Sequence, residues 1–221
     1  MEDVYHVCTR SIAGYKVFAS DFDYCRIVEA IRYYRQPKPV LSLSAYLRMK
    51  QEGRAVEFVM PRKDSIVDVI AYCIMPNHIH LLLNQKQESG LSVFMSNMLN
   101  SYTRYFNVKH DRKGPLWESR PKKTLIDSDE QLLHVTRYIH LNPVTAYMAD
   151  RPQDWVPSSY SEYVSCIKDQ DRICKFRGLI SMDRQAYRAF VEEGVKYQRE
   201  MARCRNNLAG GTSQVVCGGV K

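Results

Sequence analysis

Apolar and polar positions along this chain repeat with two periods, and each period predicts a kind of element. Alternation marks strands. Residues 4–10 put Val4, His6 and Cys8 on one side and Tyr5, Val7 and Thr9 on the other. Residues 66–74 are rich in Val and Ile, as a buried central strand should be. Residues 78–84 follow across Pro76-Asn77, a turn-favouring pair, so the two runs read as an antiparallel hairpin. Shorter apolar runs at 56–60 and 124–126 suggest further strand segments.

Helical spacing fills most of the rest. Tyr24, Ile27, Val28 and Ile31 recur behind Ser20-Asp-Phe-Asp23, which has the form of a capping box, so a helix is expected over 21–34. Gln36-Pro-Lys-Pro39 ends it. A short helix follows over 42–53 and a long one over 91–108, its stripe running from Phe94 to Phe106. A second capping box, Ser128-Asp-Glu-Gln131, opens another helix, with Leu132, Val135 and Ile139 as the face that would hold it on a sheet. A short helix over 158–164 and a longer one over 182–204 complete the pattern.

Composition narrows the class. The length, 221 residues, suits one large domain or a domain with an extension. We divide the chain into a main domain at 1–165, a basic helical extension at 166–208 and a Gly-rich flexible tail at 209–221. Lys and Arg outnumber Asp and Glu by 32 to 24, a charge of +8 that suits a polyanion. The seven cysteines include no Cys-x-x-Cys pair, which argues against a disulfide framework or a structural zinc site. The cysteine usage points to a reducing cytosol, and no membrane-spanning run or signal peptide is evident.

Chemistry concentrates in two segments. In Met75-Pro-Asn-His-Ile-His-Leu, His78 and His80 lie two apart on a predicted strand and present their imidazoles on the same face. Two neutral imidazoles make half of a divalent-metal site. In Arg137-Tyr-Ile-His-Leu-Asn-Pro-Val144, Tyr138 and Asn142 share a helical stripe with Gln131 and His134. Read structurally, Tyr138 is a half-buried helix aromatic and Asn142 a C-terminal cap before Pro143.

Together these segments resemble the signature blocks of the single-tyrosine HUH transposases, most closely the REP-associated tyrosine transposases related to the insertion-sequence 200/605 enzymes. Tyr5-His-Val, Gly114-Pro-Leu-Trp-Glu-Ser-Arg120 and Asp154-Trp-Val-Pro-Ser-Ser-Tyr160 are similar supporting blocks in the same order. The resemblance implies a ferredoxin-like α+β fold: an antiparallel sheet carrying the two histidines, with two helices on one face, one of them bearing the tyrosine. It implies Tyr138 as nucleophile and His78, His80 and Asn142 as ligands of Mg²⁺ or Mn²⁺, with Gln131 and His134 in reserve. The substrate would be single-stranded DNA beside a hairpin, cut through a 5′-phosphotyrosine, by a monomer or a homodimer, with no membrane partner.

Arg120, Lys122 and Lys123, Arg104 on the long helix, and Arg199 and Arg203 on the last one are the candidate phosphate contacts. The alternatives are a catalytically inactive relative that binds structured DNA or RNA, a relaxase or replication initiator, and a metal-dependent hydrolase that attacks with water. Paired tyrosines mark many relaxases, and here the nearest tyrosine after Tyr138 is Tyr147.

Overall fold

The computed structural model describes residues 3–36, 39–54 and 65–208. The run expected as a strand at 56–60 and the tail at 209–221 lie outside the described residues. Strands β1 (Val4–Arg10), β2 (Val67–Met75), β3 (His78–Gln85) and β4 (Lys122–Leu125) form one antiparallel sheet in the order β2-β3-β1-β4. Helix α1 (Asp21–Tyr34) and short α2 (Leu43–Gln51) connect β1 to β2, and α3 (Gly90–Lys109) connects β3 to β4. This is the ferredoxin-like arrangement that the sequence suggests. Helices α4 (Asp129–Thr145), α5 (Tyr160–Val164) and α6 (Arg184–Leu208) follow.

Nearly every residue of β2 and β3 is buried, so both faces of the sheet must be covered. The register fixes what each face carries. Cys73, His80, Cys8 and Lys122 stand in one row across the four strands, and Met75, His78 and Arg10 in the next. Directly opposed residues share a face, so the histidine face also holds His6, two positions from Cys8. Helix α4 lies against β2 and β3 on that face, with α6 packed behind it. Helices α1 and α3 pair on the other face.

The expectation that the tyrosine helix is one of two helices on a single face is therefore corrected. The crossover helices α1 and α3 occupy the side away from the imidazoles, and the histidine face is left to a helix entering after β4.

Local signals set the boundaries. The Ser20–Asp23 box is formed in full at α1. The same aspartate is a polar anchor between layers. Asp23 accepts from Lys109 Nζ at 2.7 Å and from Tyr105 Oη at 3.0 Å, both on α3. At α4, Ser128 Oγ accepts from the Gln131 amide at 3.1 Å, while Gln131 Oε1 accepts from the Asp127 amide at 2.7 Å. Pro143 does not end this helix, which runs on to Thr145, so Asn142 is no C-terminal cap. It ends in a Schellman motif: Tyr147 N–H bonds Val144 O, Met148 N–H bonds Pro143 O, and Tyr147 takes the left-handed conformation at φ 56°.

Edge strand β2 is closed by the Trp155–Tyr160 block. The Trp155 indole donates to Ile74 O at 3.1 Å, Pro157 O accepts from Ile74 N at 2.9 Å, and Ser159 N bonds Tyr72 O at 3.0 Å. A buried strand edge cannot keep unpaired backbone groups, so this segment is required for α4 to lie where it does. Trp117, in the Gly114–Arg120 block, donates to Thr103 Oγ1 at 3.0 Å and fastens that loop to α3.

Asp23 yields a pH prediction. Burial alone would raise its carboxyl pKa, but the bonds from Lys109, Ser20, Tyr105 and the Ala19 amide outweigh it and hold the value below the ordinary 3.8. The folded state then binds fewer protons than the unfolded state as pH falls through that value. Asp23 stabilises the fold above about pH 4 and loses that contribution below it. Urea unfolding of Asp23→Asn should give lower stability at pH 7 and a shallower loss between pH 5 and pH 3 than the parent. An equally steep loss would place the acid sensitivity elsewhere.

Candidate active site

The site is built from β1, β3 and α4. His80 Nδ1 lies 3.1 Å from His6 Nε2, and the two rings are nearly parallel. The His78 ring stands edge-on to His80, with centroids 5.0 Å apart. From α4, the half-buried Tyr138 ring sits edge-on to both His80, at 5.6 Å, and His6, at 5.9 Å. Strand alternation thus delivers three imidazoles, and the helix brings a phenol onto them.

Hydrogen bonds set the tautomers. Asn77 Nδ2 donates to Gly14 O at 3.3 Å, which turns Asn77 Oδ1 toward His78 Nδ1 at 2.7 Å. His78 therefore carries its proton on Nδ1 and keeps a lone pair on Nε2. At His80, Nδ1 is taken by His6 Nε2, which leaves Nε2 as the ring's other nitrogen. The Nε2 atoms of both His78 and His80 are buried with no hydrogen-bond partner among the described residues. An orphaned buried acceptor is costly, and two of them side by side call for a shared partner.

Burial keeps these rings neutral. It pulls His6 and His78 down to about pH 4, aided at His78 by the Arg10 charge. His80 is pushed well below the ordinary value by burial and then by His78, His6 and Arg10. Neutral imidazole is the form that ligates a metal.

Among the described residues no three His, Cys, Asp or Glu side chains are grouped to hold an ion. A cation here would take the two imidazoles and need a donor of another kind. The donor expected from the sequence, Asn142, lies one turn beyond Tyr138 on α4. Its Nδ2 donates to Tyr138 O at 2.9 Å, which commits the nitrogen and leaves the amide oxygen for ligation. A set of two imidazoles and an amide oxygen, completed by water or phosphate oxygens, fits Mg²⁺ or Mn²⁺.

The reserve candidates lie elsewhere. His134 is turned toward Phe190 of α6, with Arg137 NH2 at 2.8 Å from its Nδ1, and Gln131 closes the start of α4. The candidate phosphate contacts do not form one surface. Lys122 shares the histidines' row at the β4 edge, and Arg120 is exposed just before that strand. Lys123 opposes Val7 on the other face, with its ammonium 5.4 Å from the Tyr5 ring, and Arg104 is exposed on α3. Arg199 Nε donates to Val144 O at 3.2 Å and Arg203 Nε to Tyr147 Oη at 3.1 Å, so both close the end of α4.

Three residues with a role here were not singled out from the sequence. His6 and Asn77 support the two candidate ligands as a second layer. The third is His140, fully buried in α4. Ser159 Oγ donates to Tyr72 O at 3.1 Å, so its lone pairs must accept from the Tyr72 amide at 2.9 Å and from His140 Nε2 at 2.8 Å. His140 Nδ1 is then the acceptor for Tyr187 Oη, also at 2.8 Å. Burial lowers the His140 pKa to about 3, so the relay is neutral. It joins α6, α4, the Trp155–Tyr160 block and β2.

Residues 56–142 match the IS200-like transposase family. The resemblance carried by the histidine and tyrosine blocks is thus borne out, since the matched span holds His78, His80, Tyr138 and Asn142. A REP-associated tyrosine transposase from Haemophilus influenzae is 27% identical over 103 residues. That match covers 42% of this chain and 58% of the relative's length. A solved structure of a REP-associated tyrosine transposase bound to a REP hairpin has a TM-score of 0.49 and 16% identity, over 83% of this chain and 86% of that one.

The relay predicts the behaviour of a single variant. Tyr187→Phe keeps the ring and removes the donor, leaving His140 Nδ1 buried and unpaired. Such a group costs about 1–3 kcal/mol. Urea unfolding should report a loss of that size. A change below about 0.5 kcal/mol would mean that the relay does not hold α4.

Proposed function

We propose that this protein is a single-stranded DNA nicking and joining enzyme, a transposase whose Tyr138 attacks a phosphodiester beside a hairpin. The observation that carries the reading is the Tyr138 ring set against His80, beside two buried imidazole Nε2 atoms that lack partners. A purely structural cluster would pair those atoms. The IS200-like match over the same residues supports the reaction class, and a hairpin-bearing single strand is the substrate that the resemblance of the signature blocks implies.

In the reaction, the Tyr138 oxygen adds to phosphorus and the bond to the 3′-oxygen breaks. The phenol gives up its proton, the departing 3′-oxygen takes one up, and a 5′-phosphotyrosine forms. Because the bond is exchanged, a second 3′-hydroxyl can later displace the tyrosine with no external energy source. His78, His80 and Asn142 would hold Mg²⁺ or Mn²⁺, which supplies charge neutralisation and orientation at the scissile phosphate. Asn77 keeps the His78 imidazole in the ligating tautomer, and His6 orients the His80 ring through its Nδ1. Burial against α4 keeps them neutral, and the helix sets the direction of approach of the phenol. The basic character of the chain, and Lys122 in the histidines' row, suit the strand's phosphates.

The test uses end-labelled single-stranded DNA carrying hairpins from the flanks of the protein's own gene. With Mn²⁺ or Mg²⁺, a protein–DNA band should survive denaturation. Tyr138→Phe should abolish it, and His78→Ala or chelation should reduce it at least about a hundredfold. Metal-dependent cleavage that persists in Tyr138→Phe without an adduct would instead assign the attack to water.

A further inference from the structure

The segment after α5 builds a pocket that the reaction above does not use. It is a half-open cavity of about 520 Å³ between residues 172–185 and the start of α6. Tyr163, Phe176 and Tyr187 lie at its base: Tyr163 and Tyr187 are buried, and half-buried Phe176 is stacked on Tyr163 at 3.7 Å with the Arg172 guanidinium 5.4 Å from its ring centre. Arg172, Arg177 and Arg184 line its sides.

The arginines are poorly satisfied. The Arg172 side chain is only 5% exposed, and its Nε is buried with no hydrogen-bond partner among the described residues. One of its terminal nitrogens lies 3.5 Å from Asp169. Arg177 meets the same carboxylate at 2.7 Å, and Arg184 NH1 contacts the Cys166 sulfur at 2.9 Å. The carboxylate in the lining, Asp183, is engaged in accepting from the Ala186 amide at the start of α6, and Asp169 lies outside the lining. Asp169 is itself 63% exposed, on a short surface turn. Such an exposed ion pair is weak and easily exchanged.

We propose that this pocket is a subsite for one nucleotide. Its phosphate takes the place of the Asp169 carboxylate on Arg172 and Arg177, with Arg184 beside it, and its base lies against the half-buried Phe176 at the pocket's mouth. The volume suits a ligand of that size, and the mix of aromatic and guanidinium lining suits its two halves. Tyr187 is part of the lining and donates to His140, two residues beyond Tyr138. A nucleotide seated there is therefore joined to the helix that carries the nucleophile. The choice of a nucleotide rests on the nucleic-acid reading above; the pocket's preference for an anion does not.

The test is fluorescence anisotropy of the full chain with a labelled ten-residue oligothymidylate, without metal, across a salt series. Arg177→Ala/Arg184→Ala, a surface double variant, should weaken binding at least about tenfold. It should also lower the slope of log affinity against log salt by about 1. Asp169→Asn should tighten binding about twofold to fivefold, a gain that loss of folding cannot produce.

Thymidine monophosphate and inorganic phosphate serve as competitors. If either displaces the oligonucleotide from the parent but not from the double variant, the pocket takes the free anion. Variant-dependent binding without such displacement assigns it to the strand. Unchanged affinity in the double variant, or weaker binding by Asp169→Asn, would overturn the proposal. Adduct formation plays no part in this titration, so the two readings fail separately.

Discussion

The structure depends on where α4 lies over the sheet. That helix carries both the phenol and the amide of the candidate site, yet neither pins it in place. Its position is set by an apolar face of Leu132, Val135 and Ile139 and by the neutral relay from Tyr187 through His140 and Ser159 to the Tyr72 backbone. Every hydrogen in the relay has one direction, because Ser159 has a single proton to give. A fully satisfied buried network specifies one arrangement, whereas apolar contact alone would tolerate a sliding or rotated helix. The distances between Tyr138 and the imidazoles follow from that arrangement.

The histidine face shows the opposite balance. His78 and His80 are buried and kept neutral, and each leaves one nitrogen without a partner. Sites that hold a reactive group commonly leave such a deficit, because the missing partner arrives with the ligand. Supporting residues make good the other nitrogen of each ring: Asn77 for His78, His6 for His80. Rigid scaffold and incomplete site thus lie within one helix turn of each other on α4.

Much of the fold was legible because strong local signals agree with the tertiary outcome. The alternation over residues 4–10, the two capping boxes and the Pro76-Asn77 hairpin all specify elements found where the pattern puts them. His78 and His80 could be paired from spacing alone. His6 could not, since its approach to His80 depends on the β1–β3 register, seventy-four residues apart in sequence. His134 and Gln131 misled because a helical stripe is wider than a site. One end of it caps the helix, and the middle turns toward α6. Pro143 reads as a stop, yet packing of α4 between sheet and α6 carries the helix two residues further. The side of the sheet chosen by α4 is a topological fact that no window of sequence contains.

What defines this chemistry is the atom that becomes bonded to DNA. The direct measurement is mass spectrometry of a protease digest after incubation with hairpin-bearing single-stranded DNA and Mn²⁺. A 5′-phosphonucleotide is expected on the peptide that contains Tyr138, with fragmentation placing it on that phenol. A nucleotide on any other residue, or complete cleavage with no modified peptide, would contradict it.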